Sequence, residues 1–176
     1  MADAVELRQA LSADAADLAR LHNARWQETY ARLAPAEARE RLDEAHRRAA
    51  WERTLASDAT GTTVAEAGGQ LVGFVQVGPA SQAALGAGGE VKHLYVAAEA
   101  GGRGIGTRLL LHALDRLRGD GVDSAALAVV EGNDAALRLY LRLGGIAEGS
   151  FTDAGPLWRS RNRIVRFDLA RAAAVA

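Results

Sequence analysis

The sequence predicts one α/β domain built around a mixed β-sheet. Strand-like runs alternate along the chain with segments whose apolar residues recur at helical spacing. Short turns separate them, and no linker, repeat or low-complexity stretch marks a domain boundary in the 176 residues. The predicted order is β-α-α-β-β-β-α-β-α-β-β. We therefore expect a single domain over residues 1–170 and a loose tail over residues 171–176.

Composition and charge narrow the classes of function. The chain is 49% hydrophobic and 24% charged, as in an ordinary globular protein, and its net charge of -1 gives no reason to expect a nucleic acid partner. It has no cysteine, which excludes disulfides and thiolate metal sites. Because no apolar run approaches the ~18 residues of a membrane span and the N-terminus does not resemble a signal peptide, we expect a cytoplasmic protein without a membrane partner.

The N-terminal half is predicted to hold a strand, two helices and a hairpin. A helical pattern starts near Ser12, and either Ser12 or Asp14 can cap it. Pro35 ends that pattern and can start a second helix, so strongly charged that one face should be solvated. Gly68 and Gly69 form the turn of the hairpin. The predicted segments are the strand 5–10, the helices 12–33 and 35–56, and the hairpin 61–78.

The C-terminal half is predicted to alternate strands with two more helices. The first of these helices has one apolar stripe, and Gly119 and Gly121 stop it. The second has Asn133 as its N-cap and Gly144 as its stop. The predicted segments are the strands 90–97, 123–130, 146–151 and 163–170 and the helices 106–118 and 133–145.

The stretch "AAEAGGRGIGTRLL", residues 97–110, joins a predicted strand to a predicted helix. Glycines let backbone N–H groups converge without side chains in the way, and the start of a helix adds partial positive charge. With Arg103 close by, this arrangement favours a phosphate or pyrophosphate ligand. A P-loop would need a lysine after the last glycine, and a dinucleotide fingerprint would need the spacing G-x-G-x-x-G, so both of these motifs are disfavoured.

This loop and the segment "NDAALRLYLRLGG" together resemble the GNAT superfamily of acetyl-CoA-dependent N-acetyltransferases. That family carries a Q/R-x-x-G-x-G/A loop after its fourth strand, then an asparagine and a tyrosine around the next helix, which match Asn133 and Tyr140. The chain departs from the pattern at Gly101, where the family has Gln or Arg, and at Gly145, where a phenylalanine is usual. The resemblance covers residues 90–145 most closely. It implies a single acetyltransferase domain with a mostly antiparallel sheet of about seven strands, about four flanking helices, and a splayed strand pair that binds the cofactor.

The resemblance also implies the co-substrate and its contacts. Acetyl-CoA would be held by its pyrophosphate at the loop, and the backbone N–H of Tyr95 or Val96 would polarise the thioester carbonyl. Tyr140 would act as the general acid toward the departing thiolate. No metal is expected, because the histidines lack metal-ligand spacing. The implied cofactor residues are Leu94, Tyr95, Val96, Gly101, Gly102, Arg103, Gly104, Ile105, Gly106, Thr107, Asn133 and Tyr140.

An attacking amine must lose a proton, and three residues are candidates for the base. Glu90 opens the fourth strand, where family members often carry a catalytic glutamate, and it is the first choice. His93 and Glu28 are the alternatives. A solvated strand-end carboxylate is as good an interpretation of Glu90, and a lone histidine on a strand is more often packed than catalytic.

The acceptor is expected to be a primary amine of a small molecule or a peptide. Trp26, Glu28, Tyr30 and Trp158 are the candidate acceptor residues, although aromatic pairs at helical spacing are more often core. A homodimer is compatible with the resemblance. Two other classes stay open: a non-catalytic acyl-CoA-binding or sensor domain, and phosphate or nucleotide binding unrelated to coenzyme A.

Overall fold

Seven strands and five α-helices make up the part of the chain that the computed structural model describes, residues 4–57 and 61–170. Three single 3-10 turns lie at Ser12–Asp14, Ala83–Leu85 and Ala98–Ala100. The predicted loose tail lies outside the described residues. The elements are β1 Glu6–Gln9, α1 Ala15–Thr29, α2 Ala36–Arg41, α3 Glu44–Leu55, β2 Gly61–Ala67, β3 Gln70–Pro79, β4 Gly89–Val96, α4 Ile105–Gly119, β5 Ser124–Val130, α5 Asp134–Arg142, β6 Ile146–Thr152 and β7 Arg161–Asp168.

The strands form one sheet in the order β1-β2-β3-β4-β5-β7-β6. Three neighbouring pairs are antiparallel: β1 with β2, β5 with β7, and β6 with β7. The pair β4 and β5 is parallel, and in it Gly89 lies opposite Ala125 and Glu90 opposite Ala126. Gly68 and Gly69 have φ of 57° and 75° and turn β2 back into β3, as the hairpin prediction required. The predicted mixed, mostly antiparallel sheet of seven strands is confirmed.

The predicted second helix is two helices. The chain leaves helical geometry at Leu42, and Asp43 then caps α3 by accepting the backbone N–H of His46 at 2.8 Å. Asp43 lies within a run of charged residues, where an aspartate is usually solvated. The sequence pattern therefore did not identify it as a helix cap. The described residues therefore hold five α-helices instead of about four.

The start of α1 also differs from its prediction. Asp14 directly precedes the helix, but its carboxylate turns back to the N–H of Leu11 at 2.7 Å. Both carboxylate oxygens also accept from Arg8, which holds the pKa of Asp14 below its ordinary value. Arg8 reaches Glu66 as well, at 2.9 Å, so this network ties β1 to β2 and to the start of α1.

The chain divides into two compact units. The first holds the chain up to Gln76 together with His93–Leu110, and the second holds Val77–Lys92 and the chain from Leu111 onward. The core of the first unit is built from α1, α3, β2 and β3, with Leu18, Val64 and Phe74 fully buried. The second unit buries Leu85, Ala126 and Ile164 together. Over residues 4–57 and 61–170, no helix is long and apolar enough to cross a membrane.

Candidate functional site

The glycine loop lies in the first unit between β4 and α4. A 3-10 turn follows β4, and residues 101–104 are then exposed before α4 begins at Ile105. Gly102 and Gly104 have φ of 73° and 74°, a left-handed conformation in which other residues are strained. A Cβ added at either glycine would meet nothing within 4 Å. The glycines are therefore required by the path of the backbone, and their surface faces open space.

The start of α4 presents main-chain donors beside this open space. The carbonyl of Gly104 accepts the N–H of Arg108 at 3.0 Å, which makes Gly104 the N-cap residue. The first N–H groups of an α-helix have no partner inside the helix, and the helix dipole adds positive potential there. Ile105 and Leu109 are buried and anchor the helix, so these donors are held in place. This geometry suits an anion.

Close packing explains how α4 is positioned against the sheet. Gly73 on β3 leaves a gap in which a Cβ would lie 3.1 Å from Leu109, 3.2 Å from the carbonyl of Tyr95 and 3.4 Å from Ile105. The first turn of α4 therefore approaches β3 and β4 closely. Leu94, Tyr95 and Val96 are half-buried at the end of β4 in the same unit.

Asn133 lies in the second unit at the start of α5. Its side chain accepts the N–H of Ala136 at 3.4 Å, so the predicted N-cap is confirmed. A cavity of about 300 Å³ opens where β5 ends and α5 begins. Its walls are Val129, Val130, Glu131, Gly132, Asn133, Asp134, Leu137 and Arg163.

Tyr140 is buried on α5, and its surroundings account for one departure from the family pattern. Gly144 ends the helix with φ of 92°, as predicted. A Cβ on Gly145 would lie 2.5 Å from Val165 and 2.9 Å from both Phe167 and the Tyr140 carbonyl. Side chains from β7 fill the space beside Gly145, so any larger residue there would displace them.

Glu90 belongs to the second unit and is buried at the start of β4. Its Oε2 accepts the N–H of Ser81 at 2.7 Å, so the carboxylate fastens the loop between β3 and β4. The interpretation of Glu90 as a solvated strand end is therefore wrong. Its role as a base stays a prediction.

The other candidate bases lie in the first unit. Glu28 is exposed and forms an ion pair with Arg25 one helical turn earlier. His93 is half-buried, with its ring 4.6 Å from the ring of His22 and 6.0 Å from that of Trp51.

The aromatic candidates for the acceptor site are packed to different degrees. Trp26 on α1 and Tyr30, which directly follows this helix, are buried with their rings 5.4 Å apart. Trp158 is half-buried in the segment between β6 and β7. The guanidinium of Arg47 lies 4.9 Å from the centre of the Trp26 ring, a cation–π distance.

Arg47 is a residue that sequence reasoning missed. It lies in the charged run that predicted a solvated helix face, yet it is only 7% exposed. Its Nη1 lies 3.0 Å from Nε2 of His22, whose Nδ1 in turn lies 3.3 Å from Nε1 of Trp51. Burial lowers the pKa of Arg47, and burial together with the nearby His93 and Arg47 lowers the pKa of His22 well below its ordinary value. One signal in the sequence points to this burial: Arg47 precedes Trp51 by four residues and Leu55 by eight, so it lies on the apolar face of α3.

The predicted residues separate between the units. The loop, Leu94–Val96, His93 and the residues on α1 belong to the first, while Glu90, Asn133, Tyr140 and Trp158 belong to the second. Among the residues described here, no group of three or more His, Cys, Asp or Glu side chains could hold a metal ion.

Comparison with known proteins agrees with this geometry. The model of the acetyltransferase (GNAT) family matches residues 18–145. The mycothiol acetyltransferase of Acidimicrobium ferrooxidans is 36% identical over 113 residues, which are 62% of this chain but 35% of that protein. The chain therefore spans about a third of the length of that relative.

Two further proteins are similar to this chain, one in sequence and one in structure. An L-methionine sulfoximine/L-methionine sulfone acetyltransferase of Pseudomonas aeruginosa is 32% identical over 61% of this chain and 63% of its own. The PaiA N-acetyltransferase of Thermoplasma acidophilum, solved in complex with coenzyme A, superposes with a TM-score of 0.71 at 21% identity, covering 94% of this chain and 99% of its own. The structural similarity to PaiA supports the fold. The family model matches more than half of the sequence. The chain belongs to the GNAT family of acetyltransferases.

Proposed function

We propose that this protein transfers an acetyl group from acetyl-CoA to a primary amine of a small molecule or peptide by direct attack. The observation that carries the proposal is the loop from Gly101 to Thr107: its exposed part, residues 101–104, turns through left-handed Gly102 and Gly104 and leads directly into the first N–H groups of α4. Coenzyme A has a pyrophosphate that such donors can bind. The family match and the coenzyme A complex of PaiA support the same co-substrate.

The cofactor contacts are proposed from these positions. The amides of residues 102–107 would hold the pyrophosphate, with Arg103 adding charge. The N–H of Tyr95 or Val96 would donate to the thioester oxygen as negative charge develops on it. Asn133 would contact the cofactor while it caps α5.

The reaction needs two proton transfers. The amine nitrogen attacks the thioester carbon, and its excess proton passes to a base, for which Glu90 is the first candidate and His93 and Glu28 are the alternatives. The tetrahedral intermediate then collapses, the C–S bond breaks, and the leaving sulfur takes a proton from the Tyr140 hydroxyl. The products are the acetylated amine and coenzyme A.

The proposal specifies the acceptor only as a primary amine. The relatives are named for different compounds, and the first spans about three times the matched length. Trp26, Glu28, Tyr30 and Trp158 remain the proposed acceptor contacts.

Replacement of Tyr140 tests the chemistry. We expect Tyr140→Phe to lower kcat by about 10- to 1000-fold, the range of a lost general acid. The melting temperature and the affinity for acetyl-CoA should stay near those of the wild type, because the ring remains in place. Thiol release with a panel of amines measures kcat, and calorimetry with acetyl-CoA measures binding.

Two results would contradict this assignment in different ways. An unchanged kcat, with chemistry shown to be rate-limiting, would remove Tyr140 from the mechanism. Acetyl-CoA binding without thiol release for any amine in the panel would instead favour a non-catalytic acyl-CoA-binding domain.

A further inference from the structure

Arg47 is a cationic side chain that is buried within the first unit. Its guanidinium lies on the face of Trp26, and its Nη2 is buried with no hydrogen-bond partner among the residues that the structure describes. No carboxylate of those residues forms an ion pair with it. Asp43, the N-cap residue four positions earlier, uses a carboxylate oxygen to cap α3 at the N–H of His46, and its charge acts on Arg47 without forming an ion pair. Buried charges are ordinarily paired, because an unpaired one is expensive to remove from water.

In the hydrogen bonds that join Arg47, His22 and Trp51, donors outnumber acceptors. Nη1 of Arg47 and Nε1–H of Trp51 point at the two ring nitrogens of His22. Burial keeps that imidazole neutral, so it has one lone pair and one N–H of its own and can accept from only one of the two. Nε of Arg47 reaches Oδ1 of Asn23 at 3.4 Å, a long hydrogen bond. At least two donors are left over, counting Nη2.

This surplus of donors lies beside the end of β4. The His22 ring is 4.6 Å from that of His93 and 4.9 Å from that of Tyr95, and both of these β4 side chains are only half-buried. Tyr95 is one of the two residues proposed above to donate to the thioester oxygen. An anion bound at Arg47 would therefore be attached to a molecule next to the proposed reaction centre, within the same unit of the chain.

We propose that Arg47 binds the carboxylate of the acceptor, so that the acceptor is a small amine that carries a carboxylate, as an amino acid does. This inference rests on the proposed function and deepens it. A guanidinium edge matches the two oxygens of a carboxylate, and the stacking on Trp26 fixes its plane. The same charge would repel polyamines and aminoglycosides, because all of their charged groups are positive.

The test compares amino acids with their carboxamides, which keep the amine but lose the negative charge. Thiol release gives kcat/KM for each pair with the wild type, Arg47→Met and Arg48→Met. Arg48 is the matched control, because it lies on the same helix but is exposed and pairs with Glu52. In the wild type we expect the acid to be preferred by about 10- to 100-fold, the range of a hydrogen-bonded charge. Arg47→Met should bring this preference to within about threefold of unity while Arg48→Met leaves it unchanged.

Folding of the variant is checked separately. Methionine is apolar and of similar length, so replacing an unpaired buried cation should keep or raise the melting temperature. If Arg47→Met fails to fold, the acid-to-amide ratio of the wild type decides by itself.

The outcomes separate the two levels of the argument. Release with amines at an acid-to-amide ratio near one would overturn the carboxylate inference and leave the acetyltransferase proposal standing. An acid preference that survives in a folded Arg47→Met would overturn the assignment to Arg47. Absence of release with every amine, despite acetyl-CoA binding, would overturn the proposed function and this inference with it.

Discussion

The glycine loop and the surroundings of Arg47 are two donor-rich places in the first unit, built in opposite ways. The loop, residues 101–107, is contiguous, exposed through Gly104, and offers main-chain N–H groups. The Arg47 cluster, which we define as Arg47, His22, Asn23, Trp26 and Trp51, is largely buried and offers side-chain donors. Its contacts join residues 25 and 29 positions apart. A contiguous site can be read from a motif, while a site assembled by helix packing leaves almost no mark on the sequence.

The two sites also carry different costs when no ligand is bound. The cost of the loop is its left-handed backbone conformation, and glycine lowers this cost because it has no Cβ. The cost of the cluster is the desolvation of a cation, and any cationic side chain at this position would carry the same cost. We therefore expect side-chain changes to disturb the loop through shape and the cluster through charge.

The largest expected effect comes from a side chain added to the loop. Gly104→Asp should weaken acetyl-CoA binding by about 100-fold, since two main-chain hydrogen bonds to phosphate are worth about 1.5 kcal/mol each and the new carboxylate repels the ligand. Calorimetry measures the affinity. Gly121→Asp is the matched control, because Gly121 has a similar φ of 80° and equally open space around its Cβ position.

The control separates ligand binding from strain. Both variants should lose similar stability, about 1–2 kcal/mol for a left-handed residue, and only Gly104→Asp should lose acetyl-CoA. Undiminished affinity in folded Gly104→Asp would break the assignment of the loop. Equal loss of affinity in both variants would show that the effect is global.

The fold was predictable because its signals are local. Gly68–Gly69, Asn133 and Gly144 each fix a turn or a helix end through their own conformational preferences, and the structure uses each of them as predicted. The break at Leu42–Asp43 escaped because Asp43 acts as a cap only when its side chain turns to the backbone. The sequence does not distinguish that aspartate from the solvated charges around it.

The site was only partly predictable for the same reason. The loop is recognisable from its four glycines and Arg103, and Gly102 and Gly104 adopt left-handed conformations in the structure. Arg47 could not be found, because its burial depends on how α3 packs against α1. The departure from the family pattern at Gly145 could not be explained from the sequence, because the explanation is that Val165 and Phe167 fill the space beside this residue.

A change of pH sharpens the comparison, because only the cluster contains a buried titrating ring. The folded protein holds the pKa of His22 well below the value of about 6.5 expected when unfolded, so the unfolded state binds more protons as the pH falls through 6.5. Stability from this residue is complete above about pH 6.5 and falls by about 1.4 kcal/mol per pH unit below it, until the folded pKa is reached. Urea unfolding at pH 7 and pH 5 should show a loss of stability in the wild type that is smaller in His22→Asn.

His112 supplies the control for this measurement. It is an exposed histidine on α4, so His112→Asn should keep the pH dependence of the wild type. If wild type and His22→Asn lose the same stability between pH 7 and pH 5, the cluster does not hold a neutral imidazole. The donor surplus around Arg47 would then have to be recounted with a charged ring.

The smallest expected effect belongs to Arg103, the exposed side chain within the loop. If the loop binds through its main chain, Arg103→Ala removes an exposed charge near the phosphates, and exposed charges contribute about 0.2–1 kcal/mol. Acetyl-CoA affinity should then fall by less than about fivefold, and the difference from wild type should shrink further at high salt because exposed charges are screened. Calorimetry at two ionic strengths measures both quantities, with Arg48→Ala as the exposed-arginine control on α3. A loss at Arg103 as large as that of Gly104→Asp would mean that the loop, like the Arg47 cluster, binds mainly through a side chain. The contrast between the two sites would then be one of exposure alone.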